Sequence, residues 1–442
     1  MWLLHGPNDN LPAGMARDAR MKMLEDTTGY QPLLSRTTAK VDAVSARPEK
    51  PRAAKASAAN DPQTKYKVVG LFAGVGGLER GFALAGHHSE MLCEFDAAAR
   101  HVLKRHFVKA TITEDVRALE ELPDCDVLTA GFPCQDLSQV GRRKGITGPN
   151  SGLVGSLLAL LKAKTRAPKW VVLENVPFML SLDGGSAIRM LADELEAMGF
   201  SWAYRTIDAR AFGLPQRRRR VVMVASKTED PRPALLGQDA GAPALLKRGN
   251  FACGFYWTEG NTGLGWAIDS LPPLKGGSAL HIPSPPAVWF PRRRLIATPA
   301  IEDAERLQGF DAGWTDISEF DELGARKRWR MVGNAVSVPM AKWVAERLTA
   351  KSPAFEDDGD ELPSAGSYPS AAWGRKGRRC RATVSEWPIH TEQQHLAPFL
   401  AYRPKPLSKK ATDGFRSRLI DSSLRYEKQF LDDLTHHAKS AE

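Results

Sequence analysis

From Lys65 onward, short apolar runs alternate with amphipathic stretches, and this alternation constrains the fold more than any other feature of the chain. Residues 68–72, 91–95, 126–130, 170–173 and 221–225 read as strands, and 78–85, 97–107, 153–161 and 187–198 as helices. Strand and helix taken in turn predict an α/β domain, Rossmann-like, with a mainly parallel sheet and helices on both faces. The first 64 residues read as a disordered or weakly ordered tail, because 41–64 is mostly Ala, Ser, Pro and Lys with little to bury. The domain runs over 65–226. Residues 227–326, rich in Gly, Pro and Trp, read as a smaller irregular second domain, although a helical signal returns at 301–308. A second helical signal at 338–348 places 327–350 back with the first domain. Residues 351–442 form an extension: a Ser/Pro-rich acidic linker over 356–367, a basic segment over 375–381, and one helix from about 413 to 436.

Composition excludes several classes. With 43% hydrophobic and 25% charged residues, the chain is not disordered throughout. No run approaches the roughly 18 uncharged apolar residues of a membrane helix. Asp9 and Asp18 interrupt any secretory signal. Five cysteines with no C-x-x-C pair argue against a disulfide framework and a zinc ribbon, and for a reducing cytosol and no metal. Lys and Arg number 61 against 51 Asp and Glu, a net charge of +10. That excess suits a polyanionic partner and equally a plain basic surface.

Four motifs carry chemistry. Leu71-Phe72-Ala73-Gly74-Val75-Gly76-Gly77-Leu78 joins a strand to a helix, a turn that lets a ligand approach the backbone. Glu94 ends the next strand, where a carboxylate can accept from ribose hydroxyls. Together they indicate an adenosine-containing cofactor. Glu79 stands where G-x-G-x-x-G has its third glycine, which weakens a nicotinamide reading. Gly131-Phe132-Pro133-Cys134-Gln135-Asp136 puts a cysteine just beyond a strand's carboxyl end, in a polar loop that suits a nucleophile better than a core thiol. Glu174-Asn175-Val176 closes an apolar strand with a carboxylate, which suits either a site at the same sheet edge or a satisfied strand end. Gln216-Arg217-Arg218-Arg219-Arg220 enters another strand, as a solvated edge, a phosphate clamp or donors to a base.

In this order the motifs resemble the DNA cytosine-5 methyltransferase family, with further matches at Glu94-Phe95-Asp96, Asp115-Val116, Arg306-Leu307-Gln308-Gly309-Phe310 and Gly333-Asn334-Ala335-Val336, over roughly 66–349. The resemblance implies an S-adenosyl-L-methionine-dependent methyltransferase acting on double-stranded DNA. It implies a cofactor pocket of Phe72, Ala73, Gly74, Gly76, Gly77, Leu78, Glu94, Phe95, Asp115, Val116, Pro133, Asn334 and Ala335, in which Glu94 takes the ribose hydroxyls, Asp115 the adenine amino group, and Val116 packs on the ring.

The family chemistry needs a thiolate, Cys134, to add to carbon 6 of cytosine so that carbon 5 becomes nucleophilic. Glu174 suits the acid at ring nitrogen 3, Arg218 the donor to the base carbonyl, and Arg220 a group that holds the site together. The target base must be flipped out of the duplex. Gln135, Ser138, Arg142, Arg143, Lys144 and Gln216 are the expected DNA contacts, and the Ser138–Gly145 segment corresponds to a loop that closes over DNA in the family. Residues 227–300, with Phe255–Gly260 and Pro291–Arg294, are expected to read the target. A cytoplasmic, nucleoid-associated monomer with a restriction endonuclease encoded nearby completes the expectation. An RNA cytosine methyltransferase, a non-enzymatic DNA-binding regulator and a nicotinamide oxidoreductase are the competing readings.

Overall fold

The structure is a computed structural model and describes residues 65–133, 152–259, 263–276, 285–319, 324–351, 355–356, 359–363 and 366–441. Its first unit begins β1 (Lys67–Leu71), α1 (Gly77–Leu84), β2 (His88–Cys93), α2 (Ala97–His106), β3 (Thr111–Thr113) and β4 (Val127–Ala130). It continues with α3 (Leu153–Ala163), β5 (Trp170–Asn175), α4 (Ser186–Ala197), β6 (Ser201–Asp208), β7 (Arg219–Ser226) and α5 (Pro231–Leu236). The expected strands and helices are all present.

Among the described residues, nine strands form one sheet, ordered β13-β12-β6-β7-β5-β4-β1-β2-β3, where β12 is Ala371–Arg375 and β13 Arg378–Arg381. From β3 to β5 the pairs are parallel. Beyond β5 they are antiparallel, so only β7 and β12 run against the rest. β4 and β5 are buried at every position, which is why they read as unbroken apolar runs. Successive side chains serve opposite faces: Val69 and Leu71 join Leu157 and Leu191, while Val68 joins Phe82 and Met340. β6 left no such signature, because Arg205 and Asp208 interrupt it. Arg205 is nevertheless fully buried, its guanidinium held by Asp239 at 2.7 Å and by the Ser385 carbonyl at 2.7 Å.

The second unit is built on a sheet of β8 (Cys253–Phe255), β9 (Ala267–Ile268), β10 (Ala287–Phe290), β11 (Leu295–Thr298) and β14 (Lys405–Pro406), in the order β14-β11-β10-β8-β9 and antiparallel throughout. α6 (Ile301–Leu307), α7 (Gly324–Asn334) and α8 (Val338–Thr349) follow the four strands β8–β11, and α8 lies against α1 of the first unit.

The C-terminal residues are not an appendage. β12 and β13 extend the first sheet, while β14 and two helices, α9 (Lys409–Ile420) and α10 (Lys428–Ser440), complete the second. The single helix expected over 413–436 is therefore corrected to two. A continuous helix would separate Phe415 and Phe430 by about 22 Å. The break brings their ring centroids to 6.2 Å, beside Phe255 and Trp289 in one aromatic core. No described helix is long and apolar enough to cross a membrane.

Candidate active site

A cavity of about 1170 Å³ opens at the carboxyl ends of β1, β2, β4 and β5 and is walled on its far side by the second unit and α7. This is where an open α/β sheet offers its ligand crevice. After β1, Phe72 turns into the left-handed region at φ 56°, which costs a non-glycine residue about 1–2 kcal/mol. The strain reverses the chain beside the cavity. Gly74 follows at φ 56°, and a Cβ there would meet no atom within 4 Å. Its amide donates to Glu94 Oε2 at 2.7 Å, and the amide of Asp96 donates to Oε1 at 2.7 Å. Glu94 is thus fixed by backbone at both oxygens, and each keeps a lone pair for a ligand. Burial pushes its pKa up, against those bonds and the pull of Arg100.

The structure divides the residues expected around this pocket. Phe72, Gly74, Glu94, Phe95, Asp115, Val116, Pro133 and Asn334 line the cavity. Gly76, Gly77 and Leu78 do other work. A Cβ on Gly76 would lie 2.4 Å from the Phe107 ring and one on Gly77 2.5 Å from the Val336 carbonyl, so these glycines permit close approach of protein to protein rather than of ligand. Leu78 is buried in the core beneath. Ala73 ties the turn to β2, its amide donating a hydrogen bond to the Cys93 carbonyl at 3.0 Å, and Ala335 presents its carbonyl to Arg218. Asp115 is already engaged: Arg117 donates to it from its amide and, bidentately, from its guanidinium at 2.6–2.9 Å, which lowers the carboxyl pKa. Arg117 also lies over the exposed Phe95 ring, 5.9 Å from its centroid.

The other end of the cavity holds a buried ion pair. Glu174, at the end of β5, faces Arg220 with Oε1 2.9 Å from Nε. Burial raises the pKa of Glu174, opposed by Arg220 and then Arg218. The two arginines sit in different surroundings. Arg218 is 1% exposed and sits behind the wall, its guanidinium donating to the carbonyls of Leu274 (3.3 Å), Gly333 (3.1 Å) and Ala335 (2.6 Å). A guanidinium bonded to three carbonyls joins segments of protein. Arg220 lines the cavity. Gln216, expected at the DNA, is fully buried, donating to the Leu307 carbonyl at 2.8 Å and accepting from the Leu274 amide at 3.3 Å, so it clasps the two units. Cys134, Gln135, Ser138, Arg142, Arg143 and Lys144 lie outside the described residues. Pro133, the residue before Cys134, lines the cavity, and Asn175 Nδ2 holds the Phe132 carbonyl at 2.9 Å just ahead of it.

Among the cavity residues that had no individual role are Cys93, Tyr256, Lys275 and Arg330. Arg330 had a usable signal, one helical turn before Asn334. Tyr256 falls in the Phe255–Gly260 segment expected to read the target, and Lys275 had no signal of its own; both arrive from the second unit, where the Tyr256 hydroxyl donates to the Pro273 carbonyl at 2.7 Å and the Lys275 ammonium covers its ring at 3.7 Å.

Comparison with known proteins shows the family. Residues 66–240 match the family model described as C-5 cytosine-specific DNA methylase. Type II methyltransferase M2.BsuMI of Bacillus subtilis (strain 168) is 45% identical over 379 residues, covering 83% of this chain and 97% of that protein. The chain belongs to the C-5 cytosine-specific DNA methylase family. M.NlaX of Neisseria lactamica is 28% identical over 66% of this chain and 99% of its own, and M.BsuFI of Bacillus subtilis 37% identical over 36% and 39%. Among solved structures, S. pombe Dnmt2 methyltransferase superposes with a TM-score of 0.48 at 16% identity, over 64% of this chain and 98% of that one. The methylase is a DNA (cytosine-5-)-methyltransferase with DNA as substrate and S-adenosyl-L-methionine as cofactor. These findings do not favour the RNA, regulator or oxidoreductase readings. The cavity fits an adenosyl group: the open space at Gly74 adjoins the anchored Glu94 carboxylate, and Val116 and Phe95 supply apolar walls.

Proposed function

We propose that Cys134 is the nucleophile of this methylase, that Glu174 and Arg220 act on the flipped cytosine, and that the second unit reads the target sequence. The observation that carries this reading is the buried Glu174–Arg220 pair, which shares one cavity with Glu94 and with Pro133, the neighbour of Cys134. Thiolate addition to carbon 6 drives electron density onto the ring. Glu174, kept toward its protonated form by burial, donates to ring nitrogen 3 and stabilises that charge. Arg220 donates to the base carbonyl and holds Glu174 in place. Arg218 and Gln216 act one step back, fixing the wall that carries them. When bound, S-adenosyl-L-methionine supplies the electrophilic methyl group. Glu94 would hold its ribose, and Phe95 and Val116 would hold its adenine. After transfer, the carbon 5 proton leaves and Cys134 is expelled.

The target reader is expected within β8–β11 and their loops, which bound the cavity opposite Glu174 through Tyr256 and Lys275. A cytoplasmic, nucleoid-associated monomer, with a cognate endonuclease encoded nearby, suits relatives named as Type II methyltransferases. Bisulfite sequencing of DNA from cells expressing the chain tests the reading and yields the target. We expect one short motif to be protected by the wild type and left unprotected by C134S. Equal protection by C134S would refute the nucleophile.

A further inference from the structure

Two cavity-lining side chains, Asp96 and Arg330, take no part in the chemistry above, yet they meet across the cofactor corner. Asp96 belongs to the corner itself. Its Oδ1 caps α2 by accepting from the Ala99 amide at 3.0 Å, its own amide donates to Glu94 Oε1 at 2.7 Å, and its Oδ2 pairs with the Arg330 guanidinium. Arg330 comes from α7, 234 residues later in the chain and one turn before Asn334. Its stem lies under the second-unit segment at Gly276, where an added Cβ would be 3.5 Å from Cγ. The ion pair therefore joins the element that orients the ribose-binding carboxylate to the element that closes the pocket late in the chain.

We infer that the Arg330–Asp96 pair is a latch over the adenosyl pocket, with Arg330 a positioning residue that sets how long cofactor and product stay bound. The pair leaves 40% and 28% of its two side chains exposed, so it can open and re-form from solvent without the penalty of stranding a buried charge. Closed, it holds the Asp96 amide on Glu94 and keeps α7 against the corner. Open, it releases the Asp96 side chain from α7.

The inference rests on the cofactor reading, and the test separates the two. S-adenosylhomocysteine binding to full-length protein is measured by calorimetry, and its dissociation by stopped-flow displacement, for the wild type, R330A, R330K, D96N and R330A/D96N. Asparagine keeps the α2 cap, so D96N removes the pair alone. The two single variants R330A and D96N are each expected to weaken binding by about two- to fivefold, chiefly through faster release, the scale of one exposed ion pair. The double variant should be no weaker than the singles, because one coupling is lost once. R330K should recover most of the affinity. Wild-type affinity in the single variants, or losses that add in the double, would overturn the latch while leaving the cofactor reading intact. Absence of binding by the wild type would overturn both.

Discussion

Glu79 sits where a dinucleotide-binding turn has its third glycine, and in this chain that position is a carboxyl 1% exposed to solvent. Its Oε1 accepts from the Thr129 hydroxyl at 2.8 Å, while Oε2 is buried without a partner. The third glycine of the motif lets helix and strand approach. Here the strand supplies that room: a Cβ on Gly70 would lie 2.4 Å from Glu79 Oε1. Burial, opposed by hydrogen bonds from its own backbone and from Thr129, pushes the pKa from 4.5 up to about 7. The folded state thus holds this proton more tightly than the unfolded chain does. Stability contributed here is complete below about pH 4.5 and is lost as pH rises to about 7, on the order of 3 kcal/mol in all. We expect E79Q to flatten urea-derived stability between pH 5 and 8 and to exceed the wild type at pH 8. Parallel wild-type and E79Q curves would show that Glu79 titrates normally.

Among the elements, α1 and α8 show how an early and a late segment build one wall. Gly77 and Gly81 lie one turn apart on α1 and face α8 and its approach. A Cβ on Gly81 would sit 2.4 Å from Ala341 Cβ and 2.6 Å from the Lys342 amide nitrogen. Replacing Gly81 with Ala gains about 1 kcal/mol in helix propensity. It also forces α8 outward, at the roughly 1–3 kcal/mol typical of overpacking. We expect G81A to lower the melting temperature and to weaken S-adenosylhomocysteine binding, since Asn334 precedes α8 by one short link; a raised melting temperature would show that the helices have slack. In the first unit β1, β2, β4, β5 and β7 and the helices α1 to α4 were legible, because sheet strands buried on both faces read as apolar runs and their covering helices as amphipathic ones. β6 was not, because its buried Arg205 and Asp208 look like surface residues until Asp239 and Arg210 are seen beside them. The α9–α10 break was missed because both halves share a helical composition, and only the Phe415–Phe430 contact requires the turn.

In the whole molecule, the last 75 or so residues belong to both cores. Trp373 and Cys380 are buried in the first unit, Phe415, Leu419 and Phe430 in the second, and Arg379 pairs with Asp193 and Glu196 of α4. Ending the chain at residue 350 would leave β6 an unpaired edge, uncover the second sheet and strand Arg205 without the Ser385 carbonyl. We expect such a truncation to give little soluble protein and a reduced circular dichroism signal beside the full chain; a folded, active 1–350 fragment would contradict this. What the amino-acid order determined by itself was local: which runs are strands, which turns carry glycine, and which residue types stand ready for thiol, carboxyl and guanidinium chemistry. Tertiary structure alone decided which guanidinium reaches the cavity. Arg218 and Arg220 sit two apart with the same chemistry. What separates them is a set of carbonyls at Leu274, Gly333 and Ala335, 56 to 117 residues away, that consume one and leave the other beside Glu174. A hydrogen bond between residues so far apart in the chain has no counterpart in local pattern, because it exists only once the folded backbone brings its two ends together.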